Sequence, residues 1–411
     1  MKFIADLHIH SKYSRATSKD MELEGLSRWA KLKGIDLLAT GDFTHPVWFA
    51  ELKKKLKPVE GGLFEYNGVR FILNVEISSI YSKNGKTRKI HNLVFAPSFE
   101  VVEKLNRELA KVGNLSADGR PILGLDAEKL AEIVYSVSNL CVIVPAHAWT
   151  PWFSIFGSYS GFDSIEECFG KYSKFIFAIE TGLSSDPAMN WRLSKLDNIS
   201  LISCSDAHSP AKLGREVCVF DTEMSYKSMF SAIRKKDKSK FLYTVEFFPE
   251  EGKYHYDGHR NCKVRWSPGE TKKHNGLCPV CSRPVTVGVM NRVDKLADRK
   301  DGYRPEKSIP FRNLIPLQEI IAGARGKGVN TKGVQTEYMA AVQRFGSEFK
   351  ILLDVPEKEL RQGLDPKTAE GIIRVRQGEV NIAPGFDGEF GTIGIFGKNE
   401  EKTPQNIQLT F

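Results

Sequence analysis

Eight apolar, strand-like runs follow one another through residues 1–225, and most carry a histidine or a carboxylate at or just past their end. The runs are Lys2–Ile9, Ile35–Thr40, Phe71–Ile77, His91–Ala96, Cys141–Pro145, Phe175–Glu180, Ile199–Cys204 and Val217–Phe220. Helical patterns over Glu22–Lys33, Val101–Val112 and Leu125–Val137 separate them. Such alternation predicts an α/β fold with a parallel sheet, closed into a barrel, whose functional groups gather at the carboxyl ends of the strands. His10, Asp42, Glu76, His147, Glu180 and Asp206 all stand at or just past the end of a run. The first run carries Asp6-Leu7-His8-Ile9-His10-Ser11, in which two histidines at i and i+2 share one face of a strand and can reach one ion.

Six of the nine histidines lie before residue 210, accompanied by four or five carboxylates on the same expected edge. Burying so many ionisable groups together costs several kcal/mol unless a cation compensates them. The sequence therefore predicts a mixed His/carboxylate metal centre, a donor set that suits Zn²⁺ or Mn²⁺, with Mg²⁺ as a further candidate. No Gly-x-x-x-x-Gly-Lys-Ser/Thr stretch occurs, which argues against nucleotide-driven work.

Charge divides the chain further. The net +9 arises entirely within residues 226–300, where 17 Lys+Arg face 8 Asp+Glu; the flanking parts balance at 27 against 27 and 15 against 15. In this basic stretch His259-x-x-Cys262 is followed, after fifteen residues, by Cys278-Pro279-Val280-Cys281. Two ligand pairs at that spacing predict a closed, structural His/Cys3 zinc site. The cations around it, among them Lys263, Arg265, Lys272, Lys273 and Arg283, suit a phosphate backbone. The remaining cysteines, Cys141, Cys168, Cys204 and Cys218, stand singly in mostly apolar runs and read as core thiols. The domain boundaries expected are 1–240 for the barrel, 250–300 for the zinc module, 301–397 for a mostly helical C-terminal domain and 398–411 for a flexible tail. No run of eighteen apolar residues and no cleavable leader is found, so a soluble, cytoplasmic protein is expected.

The motifs Asp6-x-His8-x-His10-Ser11-x-x-Ser14, Thr40-x-Asp42-x-x-His45, Glu76 and Ser205-Asp206-x-His208 resemble those of the PHP superfamily of phosphoesterases, named for polymerase and histidinol phosphatase. That resemblance implies a distorted (βα)7 barrel holding up to three metals. His8, His10, Glu76 and Asp206 would hold the first. Glu76, bridging, with His91 and His147 would hold the second. His45 and His208 would hold a third, with Asp42 or a water completing it. Within this reading Asp206, Glu76 and His147 are the catalytic candidates. Arg15 departs from the superfamily pattern, which commonly has an acidic or histidine ligand after Ser14, and becomes a candidate contact to a substrate phosphate. Glu180 is either a partner of a ligand or a substrate contact.

Over nearly the whole chain the order of barrel, zinc module and helical end resembles the endonuclease Q family of DNA-repair enzymes. Asp257-Gly258-His259, Cys278-Pro279-x-Cys281, Arg292-Val293, Leu296-Ala297-Asp298-Arg299 and Pro384-Gly385-Phe386-Asp387-Gly388 carry it. The resemblance implies hydrolysis of the DNA phosphodiester 5′ to deoxyinosine, deoxyuridine or an abasic site. A PHP phosphoesterase of small phosphorylated metabolites or nucleotides is the alternative. An enzyme that reads a damaged base must draw it from the stack. Trp149 and Trp152, just after His147, are candidates for a wedge or pocket wall, with packing beneath the loop as the other reading. Gln408-Leu409-Thr410-Phe411 resembles the start of a sliding-clamp-binding motif.

Overall fold

The computed structural model describes residues 1–397; the tail sequence considered above as a clamp motif lies outside them. The strands of the first half are β1 (Lys2–Asp6), β2 (Leu37–Ala39), β3 (Lys57–Val59), β4 (Leu63–Tyr66), β5 (Val69–Lys83), β6 (Lys86–Ala96), β7 (Ile122–Leu123) and β8 (Val142–Pro145). They are followed by β9 (Ala178–Glu180), β10 (Ser200–Ile202), β11 (Val217–Asp221) and β12 (Phe241–Glu246). The helices fall where the periodicity placed them, at Leu23–Lys33, Phe99–Leu109 and Ala127–Val137. Ser98 and Asp126 cap the second and third through bonds from Val101 N and Glu128 N. Gly34, at φ 83°, ends the first.

The sheet is mixed rather than parallel. β1, β2 and β5 run parallel, but β1–β11, β11–β12, β5–β6 and β6–β8 are antiparallel, and β9–β10 form a separate parallel pair. The largest departure is the β5–β6 hairpin, which joins two runs that would be separate strands of a parallel sheet. Its turn is Asn84-Gly85, both residues at positive φ (54° and 70°), the geometry that lets two right-twisted strands reverse in two residues.

Residues beyond β12 leave the sheet at Phe247 and return as β15 (Phe311–Asn313), which pairs with β12 in parallel. The excursion contains the short hairpin β13 (Asp257–His259) and β14 (Val264–Trp266), then helices Pro268–Lys273 and Val289–Leu296. Helices Leu317–Arg325, Lys332–Phe345, Glu357–Gly363 and Pro366–Gln377 follow, with a π-turn at Lys350–Asp354 and a last hairpin of β16 (Asn381–Ala383) and β17 (Thr392–Gly394). Lys33 Nζ lies 2.7 Å from Glu348 Oε2, both side chains buried, and Tyr338 donates to the same carboxylate at 2.9 Å. This pair fastens the helices of the chain's end to its first helix. Among the described residues no helix is long and apolar enough to cross a membrane.

Candidate metal centre

Past β1 the chain stays extended through His10, and its edge zips to the segment after β10. Asp206 N donates to His8 O at 2.9 Å and His10 N to Ala207 O at 3.0 Å. His8 and His10 thereby stand beside Asp206, opposite Glu76 in mid-β5. Three residues of this rim, Asp42, His147 and Asp206, hold left-handed backbone at φ 52°, 29° and 47°. L side chains rarely adopt that region, and it occurs most often where a site demands it.

Glu76 is 1% exposed and its two oxygens face different partners. Oε2 lies 3.2 Å from His10 Nε2 and 3.7 Å from His8 Nε2, while Asp206 Oδ1 stands 3.1 Å and 3.6 Å from the same two nitrogens. Oε1 lies 2.7 Å from His91 Nδ1 and 2.9 Å from His147 Nε2. Two groups of converging donors result, His8/His10/Glu76/Asp206 and Glu76/His91/His147, sharing one carboxylate.

Carboxylates behind the rings set their tautomers. His8 Nδ1 donates to Glu180 at 2.9 Å and His10 Nδ1 to Asp42 at 3.1 Å, which turns both Nε2 lone pairs inward. His8 Nε2, His10 Nε2 and Asp206 Oδ1 are buried with no hydrogen-bond partner among the described residues. Such unpartnered polar atoms, converging on one point, fit a cation. Burial alone would drive protons off His8 and His10, yet Glu180 and Asp206 beside the first and Asp42 beside the second hold them well above the ordinary imidazole value. His91, more desolvated than compensated, falls to about 4.

A second group of donors lies in the excursion after β12. His259, Cys262, Cys278 and Cys281 converge, with Cys281 Sγ 3.4 Å from His259 Nδ1. Desolvation opposes ionisation of the Cys278 thiol, but the backbone N–H groups of Val280 and Cys281 prevail and bring it down to about 6. A thiol so poised is a ready thiolate ligand.

Nearly the whole chain resembles a solved lesion-specific endonuclease. A crystal structure of the lesion-specific endonuclease Q of Pyrococcus furiosus superposes with a TM-score of 0.87 at 33% identity, covering 98% of both chains. The chain belongs to the endonuclease Q family. An endonuclease Q structure in complex with a 27-mer duplex carrying an abasic lesion at its active site matches with a TM-score of 0.85 at 33% identity, over 99% of each chain. Residues 316–379 match the family model described as the MJ0043 C-terminal domain. An uncharacterised protein of Methanocaldococcus jannaschii is 35% identical over 301 residues, 70% of this chain; the match spans 37% of that protein's length.

Several residues of this endonuclease Q relative stand elsewhere than the sequence suggested. Asp42 belongs to neither group of converging donors: it accepts from His10 Nδ1, Ser11 N, Ser11 Oγ and Ser14 Oγ, so its oxygens are committed to holding His10. His45 stacks on the Tyr13 ring at 4.4 Å and His208 leans over His10 at 4.5 Å; no convergent group of three among the described residues includes either. Glu180 is fully buried, with its oxygens taken by His8 Nδ1 and His147 N, and cannot touch a substrate. Trp149 is 1% exposed and donates to Asn190 Oδ1 at 2.8 Å, a pillar of the loop rather than a pocket wall.

A cleft of about 500 Å³ opens over the centre, lined by His91, His147, Asp206, Arg120, Trp152 and Arg15 among others. Trp152 is half out of it, stacked on Tyr159 at 4.4 Å with 8° between the rings. Phe153, at φ 63°, accepts from His91 N through its carbonyl, tying the aromatic loop to a donor residue. A larger hollow, about 840 Å³, lies between helix Pro46–Lys55 and helix Phe99–Leu109 and is lined by none of the converging donors.

One arginine left no signal in the sequence, and another stands in a different role from the one expected. Arg120 Nη1 donates to Glu76 Oε2 at 3.1 Å from a loop with no periodic pattern to betray it. Arg292, on the helix that follows the Cys278–Cys281 knuckle, is 8% exposed and donates to Phe156 O, Phe162 O and Asp163 Oδ1. It thereby grips the loop that presents Trp152. The sequence marked it as part of the Arg292-Val293 motif and as one of the cations suited to a phosphate backbone, whereas its guanidinium is buried against this loop. Arg292→Ala should destabilise the protein by roughly 1–3 kcal/mol for each buried carbonyl left unpaired. Thermal unfolding would register it; a melting temperature equal to the parent's would mean that water replaces the guanidinium.

Proposed function

We propose that the chain is a metal-dependent DNA-repair endonuclease that hydrolyses the phosphodiester 5′ to a deaminated base or an abasic site. The observation that carries this reading is Glu76 bridging two donor groups beneath a cleft, in a chain that matches endonuclease Q over 98% of its length. The first-half sheet is then the distorted (βα)7 barrel of the PHP superfamily, with residues 1–240, 250–300 and 301–397 as its three domains. His8, His10, Glu76 and Asp206 would hold one ion, and Glu76, His91 and His147 another, as Zn²⁺, Mn²⁺ or Mg²⁺. A closed site of His259, Cys262, Cys278 and Cys281 takes a structural Zn²⁺.

Ions bound at these two donor groups would supply a water nucleophile at neutral pH and neutralise charge on an in-line phosphoryl transition state. The chain's own residues do the rest. Glu180 and Asp42 hold His8 and His10 in the ligating tautomer. Trp152, exposed at the rim with Tyr159 behind it, offers a face on which an unstacked base rests. Arg15, its side chain 81% exposed on the same rim, meets a backbone phosphate. The cations around the His/Cys3 group extend that contact along the duplex.

The deciding experiment incubates the protein and Mn²⁺, Mg²⁺ or Zn²⁺ with labelled duplexes carrying deoxyinosine, deoxyuridine, an abasic analogue or no lesion. One cut, 5′ to the lesion and absent from undamaged DNA, is expected. Cleavage without regard to the lesion, or release of phosphate from small monoesters alone, would overturn the reading. Glu180→Gln should lower metal affinity or cleavage about 10–100-fold, since it loosens the His8 ring without removing a ligand. Unchanged metal titration and unchanged rate would show that the ring needs no such support.

A further inference from the structure

Arg120 stands in an unusual position for a cation. Its Nη1 is 3.1 Å from Glu76 Oε2, the oxygen that faces His8 and His10, and its guanidinium has no other hydrogen-bond partner among the described residues. An ion held by His8, His10, Glu76 and Asp206 would take up the lone pairs of that oxygen and repel the guanidinium. Arg120 would then turn from Glu76 toward the cleft it already lines. It is 28% exposed and lines the cleft, whose far wall is the donors themselves and the aromatic loop. Ser78, two residues beyond Glu76 on the same strand face, lines the same cleft with its hydroxyl unpartnered. Asp118 Oδ1 accepts from both Arg15 N at 3.2 Å and Arg120 N at 3.1 Å, so one carboxylate sets the two arginines on one rim.

We propose that Arg120 is a catalytic residue whose guanidinium swings from Glu76 to the non-bridging oxygens of the scissile phosphodiester once the donor groups are filled. This rests on the phosphodiesterase reading above. A guanidinium matches two phosphoryl oxygens at once and stays charged throughout. In the step it assists, the bond from phosphorus to the attacking water oxygen forms and the bond to the leaving ester oxygen breaks. The water's proton goes to solvent, and the leaving oxygen takes one from solvent. Arg120 exchanges no proton; it holds the charge that gathers on the phosphoryl oxygens.

The test compares the parent with Arg120→Ala, Arg120→Lys and Arg120→Gln, the last keeping an N–H donor on a shorter, uncharged side chain. Three quantities are read: Mn²⁺ binding to the stripped protein by calorimetry, inorganic phosphate binding to the Mn²⁺-loaded protein, and kcat and KM on bis(4-nitrophenyl) phosphate and on lesion duplex. Arg120→Ala should bind Mn²⁺ as tightly as the parent or more so, because a competing cation is gone. It should bind phosphate at least ~10-fold more weakly and lose about 10²–10³ in kcat, the usual consequence of losing one donor aimed at developing charge. Added guanidinium should restore part of that rate, and Arg120→Lys part of it without additive. Weakened Mn²⁺ binding in all three variants, or phosphate binding equal to the parent's, would overturn the proposal and leave Arg120 as a support for Glu76. A parent that hydrolyses the model diester but no lesion DNA would refute the repair reading while leaving Arg120 in place. A parent that cuts lesion DNA no faster than Arg120→Ala would do the reverse.

Discussion

Glu76→Gln is expected to lower cleavage by at least ~10³-fold, the rate equivalent of the several kcal/mol that a charge-neutralising ion supplies to a phosphoryl transition state. The carboxylate is the one residue common to both donor groups, and each oxygen serves a different pair of imidazoles. An amide presents one acceptor and one donor, so whichever way it turns, one pair meets an N–H where it needs a lone pair. Calorimetric titration with Mn²⁺ should show one site lost or strongly weakened, while the thermal transition of the metal-free protein stays near the parent's. Cleavage within tenfold of the parent, with full metal stoichiometry, would refute the bridging role.

The second large effect concerns stability and pH. Glu246 is fully buried, its carboxyl pushed up to about 8 by desolvation even though the Thr244 and Thr181 hydroxyls donate to it. Glu216 faces it and is pushed well above the ordinary range by burial and by that neighbour; Asp186 and Glu180 add further negative charge, while the Phe247 N–H and then Arg215 oppose it at Glu216. The native state thus holds a proton on Glu246 that the unfolded chain has released. Stability should be greatest below about pH 4.5 as far as this group is concerned and should fall as pH rises to about 8, by roughly 5 kcal/mol in all. Glu246→Gln keeps an acceptor for the two hydroxyls and removes the charge. Its unfolding free energy, measured at saturating metal, should therefore exceed the parent's at pH 8 by several kcal/mol and match it near pH 4.5. A difference that does not grow with pH would show that Glu246 is ionised in the folded protein.

Much of the centre was legible because its signals are short-range or compositional. His8 and His10 share a strand face through a period of two, and the His259/Cys262 and Cys278/Cys281 pairs carry their geometry in their spacing. The α/β alternation and three helices could be read from periodicity. What could not be read depends on residues far apart in sequence. Asp42 looks like a ligand until Ser11 and Ser14 are seen to occupy it. Glu180 reads as either a partner of a ligand or a substrate contact until His8 and the His147 amide are seen to occupy it. The antiparallel β1–β11 and β11–β12 ladders leave no mark on local periodicity, since a buried strand has the same composition in either direction. The Asn84-Gly85 turn was the exception, a local signal strong enough to have announced the β5–β6 hairpin from sequence.

The left-handed backbone at Asp42, His147 and Asp206 also sets a limit on how this enzyme can be improved. Each such residue costs the folded state on the order of 1 kcal/mol or more, and the cost is local and removable. Glycine at any of the three would relieve it. Selection for heat resistance alone would therefore drift toward glycine at the very positions that hold the donors, gaining melting temperature as it dismantled the centre. Activity and robustness are set against each other here in the main chain rather than in the core, and a stabilised variant that still cuts DNA must find its gains away from these three turns.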